Sequence, residues 1–363
     1  MARAIHLARR GWYTARPNPR VGCVIVKNGE VIGQGFHRKA GESHAEVNAL
    51  KDAGEQVRGA TVYVTLEPCS HHGRTPPCTD ILAEAGVSRV VIGMIDPNPA
   101  VSGSGIKSLH RSGIEVTRDI LKTEAEKLNP GFIKRMSTGL PYIRIKMAMS
   151  LDGRTAMASG QSQWITGPQA RAEVHRMRAA SDAVLTGSGT VAKDNPSLTF
   201  RLSEHEFLRA EIPADVVQPL RVVCDSRASM SPRSAMLNLQ GKTLVVTSEE
   251  NDNSRALVRA GAEILRIDAD TNGRLPLNVV MNELAKREIN DVMIESGAGI
   301  AGGLLEAGLV DEIIIFMAPH IMGDNARGLF HLPALRDMSE RKKLHVSDIR
   351  AIGADWKITI FPE

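Results

Sequence analysis

The feature that most constrains this chain is a set of metal-binding residue types between residues 44 and 78. His44-Ala45-Glu46, Pro68-Cys69 and Cys78 supply one imidazole, two thiols and a carboxylate. One imidazole and two thiolates suit tetrahedral Zn²⁺, with the fourth position left for water. Zinc lowers the pKa of such a water toward ~7, and a carboxylate that is not a ligand can shuttle its proton. Glu46 has that type and position. The surrounding sequence reads as a helix His44–Ala53 stopped by Gly54, a strand Thr61–Leu66 ahead of Cys69, and a helix Thr79–Ala85 after Cys78. At a helix start, His44 and Glu46 can both turn toward a metal lying off the helix end. Thiolates near helix N-termini have depressed pKa values, which favours ligation.

Blander readings of the same residues exist. Ser43-His44-Ala45-Glu46 fits a capping box in which Glu46 serves only the helix. The cysteines fit ordinary buried thiols. A structural zinc would need a fourth protein ligand, for which His71 or His72 is available. His-x-Glu followed by Pro-Cys and a second Cys is, however, the pattern of zinc-dependent deaminases, with eight residues between the cysteines here instead of two.

Around this set the chain alternates strands and helices. Val21–Val26 and Val31–Phe36 flank Asn28-Gly29, a hairpin signal. A strand Arg89–Ile95, a helix Ile106–Ser112 and a short strand Ile114–Val116 follow. The pattern predicts an α/β layer structure with a mixed sheet. Turn residues at Asn129-Pro130-Gly131 and Thr138-Gly139-Leu140-Pro141 mark a boundary, giving domains 1–141 and 142–363. Beyond it, strands are expected at Tyr142–Met149, Ala183–Leu185, Arg221–Cys224, Thr243–Val246, Val292–Ile294 and Glu312–Met317. Helices are expected at Pro168–Ala180, Asn278–Lys286 and Gly302–Ala307. Residues 201–218 and 248–256 read as polar surface loops.

The second half carries nucleotide-site signals. Gly297-Ala298-Gly299-Ile300-Ala301-Gly302 follows a strand and opens a helix, a setting that brings N–H groups to a pyrophosphate. It also serves simply as a tight strand-to-helix turn. No acidic strand end follows ~20 residues on, so a Rossmann unit is not indicated. Thr186-Gly187-Ser188-Gly189-Thr190 offers a second phosphate turn. Asp225-Ser226-Arg227 offers a hydroxyl and a guanidinium for a 2′-phosphate.

These segments together resemble one family. His44–Leu50 with Thr65–Cys78, the long insert between the cysteines, and Pro17-Asn18-Pro19-Arg20-Val21-Gly22 are similar to the bacterial bifunctional riboflavin-biosynthesis deaminase/reductases. In the second half, Lys146–Ala156, Ser162–Thr166, Asp194–Thr199 and Glu295-Ser296-Gly297 match the same family. The family has a few residues before the helix that begins here at Met1, so a short first helix is expected. The resemblance implies an N-terminal cytidine-deaminase-like three-layer domain and a C-terminal dihydrofolate-reductase-like domain with a mixed sheet. It implies zinc on His44, Cys69 and Cys78, with Glu46 as proton shuttle. It implies that Asn18, His37, His71 and Arg74 hold the pyrimidine and its ribose phosphate. For NADPH it implies Ala148, Trp164, Thr190, Asp194, Ser226 and the loop Gly297, Ala298, Gly299, Ile300, Ala301, Gly302 and Gly303. For the reductase substrate it implies Ser162, Arg178, Leu198, Arg201 and Glu295, with the two arginines chemically suited to a phosphate. Lys146, Asp194 and Glu295 are the candidates for proton handling near the sugar.

Composition excludes other classes. Apolar residues make up 42% and charged residues 24%, the balance of a globular protein, not a disordered or fibrous one. No stretch approaches the ~18 apolar residues of a membrane span, and the N-terminus reads as lacking a secretory signal. Four cysteines do not make a disulfide scaffold, and a cytoplasmic location follows. Residues 1–143 hold 19 Lys/Arg against 13 Asp/Glu, and the remainder 26 against 28. A basic first half suits an anionic small molecule, here a phosphorylated pyrimidine. Few aromatics and no basic run disfavour a nucleic-acid partner. A homo-oligomer, dimer or tetramer, is expected. The competing readings are a nucleoside or tRNA base deaminase with an accessory binding domain, and a non-enzymatic zinc module.

Overall fold

The structure, a computed structural model, describes residues 1–71, 76–99, 101–201, 213 and 215–363. Arg74, His72 and most of the expected loop 201–218 lie outside the described residues. The chain divides into two units, one of Met1–Leu140 with Pro213–Val216, the other of Pro141–Ile212 with Val217–Glu363.

The first unit is built on a five-stranded sheet of β1 (Gly22–Lys27), β2 (Glu30–Phe36), β3 (Thr61–Leu66), β4 (Arg89–Met94) and β5 (Glu115–Thr117), in the order β2-β1-β3-β4-β5. β1 is antiparallel to β2 and β3, and β3, β4 and β5 are parallel, so the sheet is mixed as expected. Asn28 and Gly29, with φ of 53° and 83°, make the β1–β2 turn. Two positive φ values are what a tight hairpin needs and what Asn-Gly tolerates. Helix α1 (Ala2–Ala8) lies on one sheet face, where Ala4 and Leu7 pack on Val24. Helix α2 (Ala45–Ala53) lies on the other, where Ala45, Ala49 and Ala53 join Cys23 and Ile25. The approach is very close. A Cβ on Gly35 would stand 2.5 Å from Ala45 O, and one on Gly22 2.0 Å from Ala4 O. Helices α3 (Cys78–Glu84), α4 (Ser104–Arg111) and α5 (Lys122–Glu126) complete the layers.

One expectation fails here. Asn129-Pro130-Gly131 is not a turn but the start of helix α6 (Pro130–Thr138), with Pro130 in its first turn. Proline is well tolerated there because that N–H has no partner within the helix. The true stop is Gly139, at φ 74°.

The second unit carries a nine-stranded sheet. Its strands are β6 (Tyr142–Ser150), β8 (Ala183–Gly187), β9 (Leu220–Cys224), β10 (Thr243–Thr247), β11 (Ala262–Arg266), β12 (Asp291–Ile294), β13 (Glu312–Ala318), β15 (Leu344–Ile352) and β16 (Asp355–Pro362). The order is β11-β10-β9-β8-β12-β6-β13-β16-β15. The run from β11 to β13 is parallel, and β16 and β15 close it antiparallel. A small hairpin pairs β7 (Arg154–Ala156) with β14 (Arg327–Gly328). Helices α7 (Pro168–Ala180), α8 (Ser188–Asp194), α9 (Asp252–Arg259), α10 (Leu277–Lys286) and α11 (Ala298–Glu306) are described. Val184, Val223, Val245, Met293 and Phe316 form the sheet's share of a core that α7 and α9 cover with Val174, Met177 and Leu257. The expected loop 248–256 is corrected. Asn251 caps α9 in a reciprocal capping box with Ser254, so its polar opening turn belongs to a helix. The last helix begins at Ala298, inside the glycine motif, and not at Gly302.

Candidate functional site

In the first unit the chain brings its three expected ligands together. His44 is the extended residue ahead of α2, Cys69 follows β3 and Cys78 is the first residue of α3. Their donor atoms lie within 4.8 Å of one another. His44 Nδ1 is 3.3 Å from Cys78 Sγ and 3.6 Å from Cys69 Sγ. The Cys78 N–H donates to Cys69 Sγ at 3.4 Å. Hydrogen bonding from Cys78, then from His44, brings the Cys69 thiol down to about 4, while the sharing of that proton pushes Cys78 up. A half-buried thiolate beside a second thiol and an imidazole is the donor chemistry that zinc requires.

Glu46 is buried one step into α2 and stands beside this group, within hydrogen-bonding reach of Cys78. Burial pushes its carboxyl up, against the pull of His44. The Ser43 capping box does not form. His44 occupies the cap position, with no side-chain cap, which leaves Glu46 free of that duty. His37 packs edge-on against His44, with ring centroids 5.5 Å apart. Its Nδ1 donates to Ser43 O at 3.2 Å, so its Nε2 accepts from Asn18 Nδ2 at 3.1 Å. His37 thus adjoins the expected ligand His44, and Asn18 reaches it through His37, whereas His71 is exposed. Asp96, after β4, is a carboxyl that no sequence motif marked. Burial pushes it up, and Cys69 and His71 act on it. The buried Glu67 carboxylate accepts from the N–H groups of Asp96, Gly103 and Ile106, tying that loop to the Cys69 segment.

In the second unit a cleft of about 600 Å³ opens over Lys146–Ala148 of β6 and the ends of β8 and β12. Lys146, Ala148, Ser162, Thr190, Asp194, Glu295 and Gly297–Ile300 line it. Its floor is ionic. Arg178 holds Glu295 by two hydrogen bonds of 2.5 and 2.9 Å, and Lys146 Nζ lies 3.6 Å from the same carboxylate. Burial acts to raise Glu295, but Arg178 and then Lys146 hold it down at about 2. Burial pushes the Lys146 ammonium down against the pull of Glu295. The Arg178 guanidinium, expected at a phosphate, has its fork on Glu295 and a further bond to Thr199 O.

The glycine motif divides its work. A Cβ on Gly297 or Gly299 would meet nothing, so these positions are open to the cleft. A Cβ on Gly302 would stand 2.1 Å from His331 O, so that glycine serves close packing. Gly302 and Ala301 are buried and line neither this cleft nor the cavity beside it, which Ser226 and Gly303 do line. Trp164 is 72% exposed. Leu198 is buried at φ 50°. Arg201 is exposed, and its N–H donates to His175 Nδ1 at 3.1 Å. Lys193 and Arg327 also line the cleft, and no sequence motif marked either.

Comparison with known proteins decides the family. Residues 141–358 match the RibD C-terminal domain, and residues 1–94 match the cytidine and deoxycytidylate deaminase zinc-binding region. The riboflavin biosynthesis protein RibD of Escherichia coli is 50% identical over 359 residues, 98% of this chain and 96% of that protein. The chain belongs to the RibD family. The RibD of Haemophilus influenzae is 48% identical over the whole of this chain and 96% of its own. The solved RibD of Acinetobacter baumannii covers all of this chain and 97% of its own at 43% identity, with a TM-score of 0.91. A Thermotoga maritima structure, titled a diaminohydroxyphosphoribosylaminopyrimidine deaminase/5-amino-6-(5-phosphoribosylamino)uracil reductase, matches at 35% identity and a TM-score of 0.86, again over 100% and 97%.

Like the rest of the RibD family, the chain is a bifunctional deaminase and reductase of riboflavin biosynthesis. Its two parts are a cytidine-deaminase-like domain and a reductase domain with a mixed sheet. Zinc serves the first and NADPH the second. The residues fit both groups. The donor set is His/Cys/Cys, and the cleft has a glycine-lined helix start open to a phosphate chain.

Proposed function

We propose that the chain first deaminates 2,5-diamino-6-ribosylamino-4(3H)-pyrimidinone 5′-phosphate by hydrolysis. It then reduces the ribosyl chain to give 5-amino-6-(5-phosphoribitylamino)uracil. The deaminase is assigned to residues 1–141 and the reductase to 142–363. The buried Glu46 beside the His44, Cys69 and Cys78 donors carries this reading. Zinc supplies an acidified water, and NADPH supplies the hydride. Glu46 takes the proton of the attacking water and delivers it to the departing ammonia. No capping box engages its carboxyl. Asn18 and His37, already joined by a hydrogen bond, orient the pyrimidine, with His71 and Arg74 on the ribose phosphate.

In the reductase, Lys146 protonates the ribose ring oxygen as the ring opens. Glu295, held by Arg178, fixes the ammonium in place, and Asp194 lies on the same cleft wall. Ser162, Leu198 and Arg201 complete the substrate side, and Ala148, Trp164, Thr190, Ser226 and the Gly297–Gly303 loop the cofactor side.

Mass spectrometry of the pyrimidine substrate with zinc-loaded protein tests both steps. Amine-to-oxo exchange is expected without NADPH, and a gain of two hydrogens only when NADPH is added. Glu46→Gln should keep its zinc, lose the exchange, and still reduce the deaminated compound. An unchanged substrate mass would move the nucleoside or tRNA base deaminase to first place. The protein is further assigned to the cytoplasm, where its four free cysteines stay reduced, and to a homo-oligomer, dimer or tetramer. The exposed apolar residues of the edge strand β15 support that assembly.

A further inference from the structure

A second cavity, of about 420 Å³, adjoins the reductase cleft and shares Gly187, Gly189, Gly299 and Ile300 with it. The two form one trough across four parallel neighbours, in the order β6, β12, β8, β9. Its chemistry changes along that line. Lys146 and Glu295 stand at the β6–β12 end, and open glycines at the start of α11 follow. The second cavity has Cys224 and Ser226 at the end of β9, with the apolar Leu275, Leu277 and Ile300. NADPH has the same sequence of parts: a reacting nicotinamide, a pyrophosphate and an adenosine. With the nicotinamide over Lys146 and the pyrophosphate on the α11 N-terminus, the adenosine enters the second cavity, whose apolar walls suit a purine.

One guanidinium lines that cavity, Arg274. Its loop is closed on both sides, for the Arg274 N–H donates to Asp270 Oδ1 at 2.9 Å and the Asp270 N–H to Arg274 O at 2.8 Å. Its side chain makes no ion pair among the described residues. Glu306, the carboxylate of the same cavity, is not within ion-pairing distance of it and sits at the far end of α11 from the pyrophosphate position. Arg227, which follows Ser226 in sequence, is exposed as Arg274 is but lines neither cavity.

We propose that Arg274, with the Ser226 hydroxyl, takes the 2′-phosphate of NADPH and is the residue by which the reductase distinguishes NADPH from NADH. A planar guanidinium donates its N–H fork to two oxygens of a phosphate dianion, a partner that NADH lacks. The assignment rests on the reading of the trough as the dinucleotide site, and the test separates the two.

Isothermal titration calorimetry of the full-length protein with NADPH and with NADH is the measurement. Arg274→Ala should weaken NADPH by about 10–100-fold, the loss of one charge-assisted contact, and leave NADH unchanged. The unchanged NADH binding itself reports an intact fold. Arg274→Lys should restore part of the loss, and Arg227→Ala should keep the wild-type ratio. Gly299→Leu, which fills the open trough, should weaken both dinucleotides. Equal weakening of NADPH and NADH in Arg274→Ala, or loss of the ratio in Arg227→Ala alone, would overturn the role of Arg274. Wild-type binding of both by Gly299→Leu would overturn the site itself.

Discussion

Glu295 shows what one residue does when it is buried between two cations. Its carboxyl sits at about 2 in the fold against an ordinary 4.5. A depressed carboxylate contributes stability that is fully present above about pH 4.5 and is lost as the pH falls through about 2. The amount is about 3 kcal/mol. Urea unfolding followed between pH 5 and pH 2.5 should show this loss in the wild type. Glu295→Gln should be less stable at neutral pH, because Arg178 and Lys146 lose their partner, yet flatter across that acid range. His175 offers a second titration. Burial, then Arg178 and Arg201, bring it down to about 4 from 6.5, and its neutral Nδ1 accepts the Arg201 N–H. Its stabilisation is present above about pH 6.5 and disappears as the pH falls through about 4. An NMR titration of the His175 ring should therefore show a midpoint near 4, and a midpoint near 6.5 would contradict the burial argument. At this scale the sequence is uneven. His44, Cys69 and Cys78 are legible because zinc restricts both residue type and spacing. The Arg178–Glu295 pair is not, because its members lie 117 positions apart and each alone looks like an ordinary surface charge.

Elements were legible where a local rule acts alone. Asn28-Gly29 announces its hairpin, and α7 runs over the span its sequence predicts. Misreadings arose where a polar residue serves a helix end. Asn251 and Ser254 look like loop residues but cap α9, and Pro130 looks like a turn but begins α6. The terminal strands β15 and β16 escaped although both alternate, because β15 is exposed along almost its whole length and a bulge between Val346 and Asp348 breaks its period. Close helix–sheet approach is likewise invisible in sequence, yet it positions the metal centre. Gly35 lets α2 lie against β2, and α2 carries Glu46 and follows His44. Gly35→Ala should cost about 1–3 kcal/mol by overpacking and weaken zinc retention, read by melting temperature and metal content. An alanine variant that keeps full zinc and stability would show that α2 moves freely over the sheet.

For the molecule as a whole, the metal donors and the dinucleotide trough are made of different stretches of chain. Chelation of zinc should abolish deamination while NADPH binding, measured by calorimetry, stays at the wild-type value. The proposed homo-oligomer is assigned to a different surface. β15 presents Leu344, Val346 and Ile349, and its neighbour β16 presents Trp356. Val346→Lys with Ile349→Lys should lower the mass measured by light scattering to that of one chain, and an unchanged mass would move the interface elsewhere.

The position of β6 also governs the order in which the protein is made. Ile143 pairs with Val292 on one side and Ile145 with Ile313 on the other. Every strand of the first unit's sheet has emerged by Thr117. β6, an interior strand of the second sheet, instead waits for partners that the ribosome adds about 150 residues later, roughly 8–30 s of synthesis. Through that interval its apolar residues are unpaired. The second half of this chain therefore has the greater need of a chaperone during translation, and mutations that slow sheet closure there will show first as lost yield of protein, ahead of any change in turnover.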